Sequence, residues 1–457
     1  MDAPRENEHL EFKEAKHQFD VMKLFRYCVA IANEGGGKLI LGVSNRIPRK
    51  VVGSEAFRNT ANIAEKIFIK LRFRVDVEEI AHPDGRVVLF RIPSRPKGTA
   101  YQLEGSYLMR STEDTVSMSE DRLRQIFEEG KPDWLLHPAK ENCTADDVVR
   151  LLDTQGYFDL LKLTYPTTRE VVLERFEQAK LIQKKSGSWI ITNLGAILFA
   201  KKIDDFDSLS RKTPRVIVYE GTSKLKTRLD KFGARGYAVG FEGLLEFING
   251  QIPTNEIIQL ALRKEKKMFP EIAIRELVAN ALIHQDLNES GPILIEIYSD
   301  RMEITNPGRP FIPTDRFIDE YQSRNERLAD LMRRFGICEE KGSGVDKVVN
   351  ATEVYQLPAP DFRVGERHTT VVLFAHKPFE DMDRKDRIRA CYQHCCLRYV
   401  MNERMTNQSL RERFKLSVNK ITTVSQLIAD TLDVNLIKLD DATTVSKRYA
   451  RYQPFWA

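Results

Sequence analysis

The sequence predicts an α+β protein with several domains. Helix-like and strand-like stretches follow one another in mixed order along the whole chain. The 457 residues, of which 42% are hydrophobic and 30% charged, can form more than one buried core, and this composition excludes a disordered or fibrous chain. No apolar run approaches the ~18 residues that a membrane-spanning helix requires, so we expect no membrane partner.

Composition and turn residues divide the chain into four predicted domains. We expect an α/β domain over residues 1–130, a linking α/β region over 131–260, a second α/β domain over 261–378 and a helical domain over 379–457. The polar first residues lack the apolar segment of a signal peptide, and six cysteines are too few for a disulfide scaffold. Both features predict a cytoplasmic protein with reduced thiols.

The two α/β domains alternate helices and strands around glycine turns. In the first we predict helices over 21–32 and 60–71, with a strand over 38–43 between them. In the second we predict a helix over 270–284, a hairpin of strands 293–298 and 302–305, a helix over 327–335 and a strand over 369–374.

The helix predicted over 270–284 carries a candidate catalytic pair. Glu276 and Asn280 are four residues apart and therefore share one face, which His284 extends by another turn. An amide oxygen can bind Mg²⁺, and a carboxylate can orient or deprotonate a water that attacks a γ-phosphate. The pair therefore indicates nucleotide chemistry.

Two glycine turns further along the chain complete this candidate site. Asn306-Pro307-Gly308 follows a predicted strand, and Gly342 and Gly344 precede a predicted helix. Glycines let backbone N–H groups approach phosphates, and a helix N-terminus favours negative charge. With the segment 275–284, these strings resemble the GHKL ATPases (gyrase, Hsp90, histidine kinase, MutL), and more closely a divergent branch that is found in transcriptional regulators and often labelled RecG-like.

The resemblance implies a Bergerat-type α/β sandwich that binds ATP and Mg²⁺. It implies that Glu276 is the ATPase base and that Asn280 holds the magnesium. The further residues that it implies for nucleotide binding are His284, Asn306, Gly308, Arg324, Gly342 and Gly344. Asn306 replaces the aspartate that usually binds the adenine amino group, which leaves open whether ATP is hydrolysed. The chain has no Walker A motif, so the sequence does not predict a helicase.

The first domain has its own motif. The strings Glu6-Asn-Glu-His-Leu-Glu11 and 30–43 resemble the Schlafen AlbA-2 domain, a nucleic-acid-binding module. In nuclease members of that family, glutamates spaced as Glu6 and Glu11 join a third acidic residue that holds a divalent metal. Here Ser44-Asn45 stands at the third position, so we favour a binding module over a nuclease. A solvated acidic N-terminus is the alternative.

Basic side chains in this domain are candidates for phosphate contacts. We single out Lys13, Arg46 and Arg110, since arginine and lysine supply most contacts to nucleic-acid backbones. Basic loop residues that are simply solvated would give the same pattern.

In the last domain, residues 405–414 and 421–432 predict two helices joined by a turn over 416–420, and this pattern resembles a winged helix-turn-helix. Its second helix would enter a DNA groove, with Asn419 and Lys420 near the bases. Winged helices also serve as dimerisation modules, so this alternative stays open.

Three cysteines lie close together in the last domain. Cys391, Cys395 and Cys396 fall in a predicted helix, which presents too few ligands for zinc, and we predict buried thiols.

Together these features give three hypotheses. The first is an ATP- and nucleic-acid-binding bacterial regulator, with DNA favoured over RNA, whose GHKL-like domain switches a homo-oligomer. The second is a Schlafen-like metal-dependent endonuclease that cleaves RNA or DNA in phage defence. The third is a scaffold that binds no nucleotide and only oligomerises.

Overall fold

The computed structural model describes residues 7–46, 48–111, 114–130, 133–259, 262–338, 342–441 and 450–457. The chain forms two compact units, residues 1–132 and 133–457. Helix accounts for 40% and strand for 23% of the chain, and the sheets are mixed or antiparallel. The predicted α+β multidomain class is therefore confirmed.

The N-terminal unit packs helices on a four-stranded sheet of order β1-β2-β4-β3. A three-stranded sheet, β5-β6-β7, completes the unit. The elements are β1 (Leu10–Lys13), α1 (Val21–Asn33), β2 (Gly37–Leu41), α2 (Thr60–Leu71), β3 (Asp76–His82), β4 (Gly85–Ile92), β5 (Gln102–Leu103), β6 (Ser106–Ser111), β7 (Asp114–Ser117) and α3 (Glu120–Glu128).

The helix starts of this unit and the pairing of its edge strand β1 with β2 follow from local chemistry. Asp20 caps α1 by accepting a hydrogen bond from the backbone of Lys23 at 2.6 Å, and Asn59 caps α2 in the same way. β1 and β2 run parallel and so close together that a Cβ atom at Gly37 would lie 2.1 Å from the carbonyl oxygen of His9. The glycine turn predicted before this strand thus lets two backbones meet.

The C-terminal unit begins with a helical region around a small sheet of order β8-β10-β9. This part comprises β8 (Pro138–Cys143), α4 (Ala145–Leu151), α5 (Thr154–Leu160), α6 (Arg169–Gln178), β9 (Ile182–Lys185), β10 (Ser188–Thr192) and α7 (Asn193–Phe199). Buried side chains of these elements join the same apolar core as those of the large sheet in this unit.

A six-stranded sheet of order β12-β11-β15-β16-β18-β17 forms the centre of the unit. β11 and β15 are parallel and the other neighbours are antiparallel. The elements of this part are β11 (Arg215–Tyr219), β12 (Thr227–Phe232), α8 (Tyr237–Gln251), β13 (Thr254–Gln259), β14 (Leu262–Lys267), α9 (Glu271–His284), β15 (Leu294–Ile297), β16 (Arg301–Pro307), α10 (Glu326–Arg334), α11 (Gly344–Val354), β17 (Asp361–Val364) and β18 (His368–Phe374). The sheet takes strands from both sides of the domain boundary predicted at residue 260.

Helix α9 packs between α11 and the large sheet. Its apolar side, with Ile274, Leu277, Val278 and Leu282, is buried in the core, while α11 packs beside it and β16 beneath it. Its last turn is closed by Asn325, whose side-chain amide donates to the carbonyl oxygens of Ile283 at 2.7 Å and Gln285 at 2.8 Å. Because the last carbonyls of a helix lack intrahelical partners, this side chain fixes where α9 ends.

The chain ends in three helices and a two-stranded sheet. These are α12 (Arg384–Val400), α13 (Asn407–Arg413), α14 (Ile421–Asp433), β19 (Ile437–Leu439) and β20 (Tyr452–Pro454). A capping box between Thr406 and Ser409 starts α13. Across the described residues, no helix is long and apolar enough to cross a membrane.

Candidate functional site

A cleft opens in the C-terminal unit between α9, α11 and the strands β16 and β18. Its cavity volume is about 140 Å³. Segments that are far apart in sequence form its walls, namely one face of α9, the chain from 306 to 324, the start of α11, and side chains of β17 and β18. Of the sequence-predicted nucleotide residues, those on the cleft wall are Glu276, Asn280, His284, Asn306, Arg324, Gly342 and Gly344.

The candidate catalytic pair meets the start of α11 at Gly344. A Cβ atom at Gly344 would lie 2.9 Å from a carboxylate oxygen of Glu276 and 3.5 Å from the amide nitrogen of Asn280. A larger residue would therefore enter the space in front of the pair. Glycine keeps that space open and brings the backbone of α11 against both side chains.

The start of α11 makes this end of the cleft electrostatically favourable for an anion, although the Glu276 carboxylate lies beside it. The first backbone N–H groups of a helix have no intrahelical partner, and they carry the positive end of the helix dipole. α11 begins at Gly344, on the cleft wall, so these groups lie at the cleft. The Lys347 ammonium, one turn along α11, lies 3.9 Å from Glu276, which is 6% exposed.

Asn306 lies at another part of the cleft, at the end of β16. Its partner across the ladder is Thr369 of β18, and both residues line the cleft. The Asn306 side-chain amide donates to the carbonyl oxygen of Pro307 at 3.2 Å, and the Thr369 hydroxyl donates to that of Gly308 at 2.8 Å. An amide and a hydroxyl can each accept or donate, so this region can hydrogen-bond a polar ring.

Gly308 is not among the residues that line the cleft, contrary to the expectation that it approaches phosphates. It has φ +98°, and a Cβ atom there would lie 2.8 Å from the Cβ of Asp286. The Asp286 backbone N–H donates to Pro307 at 2.8 Å. The turn thus joins the end of β16 to the chain after α9, and glycine is required by that close approach.

Arg324 lines the cleft in a fixed position. Its guanidinium donates to Asp286 at 3.1 Å and to the carbonyl oxygen of Arg309 at 2.8 Å, and it stacks on Phe311 with 4.2 Å between the guanidinium carbon and the ring centroid. Burial, together with the positive charge of Arg324, lowers the pKa of His284 to about 4. His284 is therefore a neutral imidazole at pH 7.

An aromatic wall is the part of the cleft that motif reasoning missed. Its members are Phe311, Phe317, Tyr321 and Phe362. The Phe317 and Phe362 rings meet edge to face with centroids 5.3 Å apart, and Tyr321 stands edge-on to His284 at 5.8 Å. Flat apolar surfaces of this kind suit a planar ring. A run of aromatic residues between 311 and 321 is the signal that was present in the sequence.

In the N-terminal unit, the candidate catalytic carboxylate Glu11 is buried. Glu11 is 1% exposed and forms ion pairs with Lys13 and with Arg110, which is 2% exposed. Tyr27 completes the cluster, since the guanidinium of Arg110 lies 5.5 Å from its ring, and burial raises the pKa of its hydroxyl. The predicted phosphate contact by Arg110 is corrected, because a buried, paired guanidinium is not on the surface.

At the third acidic position of the nuclease members, this chain has Ser44-Asn45. Arg49 donates to the backbone oxygen of Asn45 at 2.9 Å and to its side-chain oxygen at 3.1 Å, and stacks on Phe12 at 3.9 Å. Successive residues of a strand face opposite sides, so Phe12 and Glu11 lie on opposite faces of β1. Arg49 therefore packs on the face of β1 opposite to Glu11. Glu6, the other predicted carboxylate, lies outside the described residues.

The predicted nucleic-acid contacts differ in exposure. Arg46 and Asn419 are exposed, whereas Lys13 is half-buried beside Glu11. Lys420, just before α14, lies 3.5 Å from a carboxylate oxygen of Glu380. Of these side chains, Arg46 and Asn419 are the most accessible to a partner.

The cysteines of α12 are buried thiols, as the sequence predicted. Cys391, Cys395 and Cys396 are fully buried, and burial raises the pKa of each. His394 between them lies 3.0 Å from Glu353 and 3.2 Å from the Ser409 hydroxyl. Within the described part of the chain, no group of three or more His, Cys, Asp and Glu side chains is placed to hold a metal ion.

Two family models match separate segments of the chain. The model described as "Schlafen, AlbA_2" matches residues 6–119, and the model described as "Putative ATP-dependent DNA helicase recG C-terminal" matches residues 291–373. The second match includes Asn306, Gly342 and Gly344, and it begins after α9. No curated protein matches the chain at a significant level.

Solved structures with significant matches include two proteins of low identity. The DIP2311 protein from Corynebacterium diphtheriae is 16% identical, with 98% of this chain and 92% of that chain covered and a TM-score of 0.46. The N-terminal domain of a RecG-related protein from Nitrosomonas europaea is 17% identical, with 25% of this chain and 84% of that chain covered and a TM-score of 0.19. The family matches confirm both resemblances predicted from the motifs, and they relate residues 6–119 and 291–373 to the Schlafen AlbA_2 and RecG C-terminal-like families of nucleic-acid-related, ATPase-like proteins.

Proposed function

We propose that the cleft binds ATP with Mg²⁺ and that the protein is a nucleic-acid-binding regulator controlled by this nucleotide. One observation carries the proposal. The start of α11 meets Glu276 and Asn280 at Gly344, so that backbone N–H groups, an amide and a carboxylate face one open space. These are the groups that hold a polyphosphate, its magnesium ion and a water.

The residues present fit this ligand along the cleft. The triphosphate would lie at the start of α11, where Gly342 and Gly344 leave room for backbone contacts. The Asn280 side-chain oxygen would bind the magnesium. The adenine ring would lie against the aromatic wall, within reach of Asn306 and Thr369.

Glu276 is the group for hydrolysis in this proposal. Bound ATP supplies a γ-phosphate that a water molecule can attack. Glu276 would orient that water and accept its proton, with Lys347 beside it to balance the negative charge. We therefore expect Glu276→Gln to keep nucleotide binding and to lose most of any ATPase activity, measured as phosphate release.

The decisive test is the affinity for Mg-ATP measured by calorimetry. Asn280→Ala removes the magnesium ligand, and we expect affinity to fall by about tenfold or more, since a hydrogen bond to a charged group contributes ~1.5–3 kcal/mol. Asn350→Ala is the matched control, because Asn350 is exposed on α11. Unchanged affinity in Asn280→Ala would contradict the assignment.

We assign nucleic-acid binding to the N-terminal unit and to the C-terminal helices, with DNA favoured over RNA. The AlbA_2 match supports the first. The order α12, α13, α14 and the hairpin β19–β20 supports a winged helix, with α14 as the helix that reads DNA and Asn419 exposed at its start. If ATP closes a homo-oligomer, the native mass of the particle will rise when Mg-ATP is added.

The endonuclease alternative has less support. Glu11 is neutralised by Arg110 and Lys13, and the third acidic position holds Asn45, bonded to Arg49. A carboxylate that is buried and paired in this way is a poor ligand for a catalytic metal. Cleavage of tRNA or DNA in Mn²⁺ that disappears in Glu11→Ala would reverse this preference.

A further inference from the structure

The outer surface of α2 combines positive charge with exposed apolar side chains. Its cations are Lys66, Lys70, Arg72 and Arg74, all exposed. Phe68 and Ile69 lie among them with 43% and 57% of their side chains exposed. No acidic residue occurs in the chain from 66 to 75, and the exposed carboxylates of Glu65 and Asp76 border this segment. We call these six side chains the α2 surface.

Phe68, Ile69 and Arg72 lie on the outer side of α2, whereas Lys66 and Lys70 lie on its flank, because residues two apart on a helix do not share a face. Lys66 and Lys70 are four residues apart on the helix and therefore share a face. Arg72 ends α2 in the left-handed conformation, with φ +63°, and its backbone N–H donates to the carbonyl oxygen of Phe68. The guanidinium carbon of Arg74 lies 5.7 Å from the ring centroid of Phe68. This contact ties the segment after the helix to the outer face of α2.

Structural needs of the unit do not account for the α2 surface. The inner face of α2, with Ile63, Ile67 and Leu71, already fills the core. Cations near a helix C-terminus interact favourably with its dipole, and this interaction is enough to explain the positive charges. That effect gives no reason for two large apolar side chains to remain in water beside them.

Most of the charge on this surface is available to a partner. Lys70 pairs with exposed Glu104 at 3.1 Å. Throughout the described ranges, no acidic group lies within salt-bridge distance of Lys66, Arg72 or Arg74. Arg72 and Arg74 beside the exposed ring of Phe68, with Lys66 on the flank of the helix, form a local site for a polyanion that also offers flat apolar surfaces.

We propose that the α2 surface binds single-stranded nucleic acid. The inference rests on the nucleic-acid-binding function proposed above and adds the surface and the form of the ligand. The ring of Phe68 would stack on an unpaired base, and the cations would contact the flanking phosphates. A duplex hides the faces of its bases, so it would use the cations alone.

An anionic membrane surface is a poorer match for these residues. A helix that binds a membrane interface needs a continuous apolar face, and the apolar face of α2 is committed to the core. Phe68 and Ile69 alone offer little surface for insertion, while one exposed ring is sufficient for base stacking.

The test is fluorescence anisotropy of the full-length protein with labelled oligothymidine, oligouridine and a DNA duplex. We expect tighter binding of the single strands. Phe68→Ala should weaken single-strand binding by about 5- to 100-fold, the range for removal of one base-stacking ring, and should change duplex binding little. Arg72→Ala/Arg74→Ala should reduce the slope of log affinity against log salt by about 0.7 for each phosphate that the variant no longer binds.

Matched controls are present in the same unit. Phe127→Ala removes another exposed ring, 45% exposed, and Lys23→Ala/Arg26→Ala removes two exposed cations of α1. Neither should change single-strand affinity by more than about twofold. All substituted side chains are exposed, and unchanged melting temperatures would show that the variants are folded.

The outcomes separate this inference from the function on which it rests. If the wild-type protein binds single strands and the Phe68 and arginine variants bind equally well, the α2 surface is not the site, although nucleic-acid binding stands. If the wild-type protein binds neither single strands nor duplex, both proposals are wrong. Binding to phosphatidylserine vesicles that is lost in Phe68→Ala, without single-strand binding, would assign the surface to membranes and overturn the inference.

Discussion

Glu11 in the N-terminal unit and Glu276 in the C-terminal unit are both candidate catalytic carboxylates, and both are nearly inaccessible, at 1% and 6% exposure. Glu11 is enclosed by Arg110, Lys13 and Tyr27. Glu276 instead lies on the wall of an open cleft, with the backbone of Gly344 opposite. Burial alone therefore does not distinguish the two candidate carboxylates, whereas the open space in front of Glu276 does.

The glycine turns of the two units show the same contrast. At Gly37 an added Cβ would collide with the carbonyl oxygen of His9, so that glycine lets two strands pair. At Gly344 an added Cβ would meet the side chains of Glu276 and Asn280, so that glycine keeps a cleft open. The first turn serves the fold and the second serves the site.

The largest effect should come from breaking the enclosed cluster. Arg110→Ala leaves Glu11 buried with only Lys13 to neutralise it, and we expect the N-terminal unit to lose about 3–5 kcal/mol of unfolding free energy. Hydrogen exchange of the β1 and β2 amides would measure the loss. A double variant, Glu11→Leu/Arg110→Leu, should recover much of the stability. A small effect of Arg110→Ala alone would mean that Glu11 is hydrated, which would reopen the endonuclease hypothesis.

Filling the open space in front of Glu276 should weaken ligand binding without unfolding the protein. Gly344→Val places carbon atoms in front of Glu276 and Asn280. Overpacking of this kind costs about 1–3 kcal/mol, so the affinity for Mg-ATP should fall on the order of 30-fold in calorimetry. Gly250→Ala is the control, because a Cβ at Gly250 on α8 meets no atom within 4 Å. Equal affinity in both variants would show that the nucleotide binds elsewhere.

A third carboxylate, Asp346, lies in the first turn of α11 and is partly buried. One of its oxygens is buried without a hydrogen-bond partner in the described residues, and burial, with the negative charge of Asp319, raises its pKa to about 6. The folded state thus binds its proton more tightly than the unfolded state, whose pKa is 3.8. Stability should decrease as the pH rises from about 4 to about 6.

Replacing Asp346 by asparagine should therefore stabilise the protein above pH 6, by about 1–2 kcal/mol, and have little effect below pH 4. Thermal unfolding at both pH values would measure the difference. Asp433→Asn, at an exposed position, is the control. A gain of equal size at both pH values would show that the benefit does not come from the buried charge.

The smallest expected effect is on the reactivity of one thiol. Five of the six cysteines are buried, while Cys338 is half-buried and lines the cleft. Iodoacetamide should therefore label Cys338 first, and Mg-ATP should slow that reaction severalfold by covering it. Asn280→Ala, which should bind ATP poorly, provides the control. Equal labelling rates with and without Mg-ATP in the wild-type protein would contradict a nucleotide in this cleft.

Local pattern was sufficient for the secondary structure around both sites. The helix predicted over 270–284 is α9, the predicted hairpin is β15 and β16, and the helices predicted over 21–32 and 60–71 are α1 and α2. Periodicity, caps and glycine turns act within a few residues, so they can be identified along the sequence. The same locality placed Glu276, Asn280 and His284 on one face.

The sequence by itself thus determined the α+β class, the two family resemblances and the polar face of α9. Only the tertiary structure decided what each charged or small residue faces: Arg110 pairs with Glu11, 99 positions away, and Gly308 lies against Asp286 and not in the cleft. The aromatic wall likewise depends on Phe362 arriving from β17 beside Phe317. The physical reason is that burial and pairing arise between segments that are distant in the chain, and their energies depend on packing that no local pattern records.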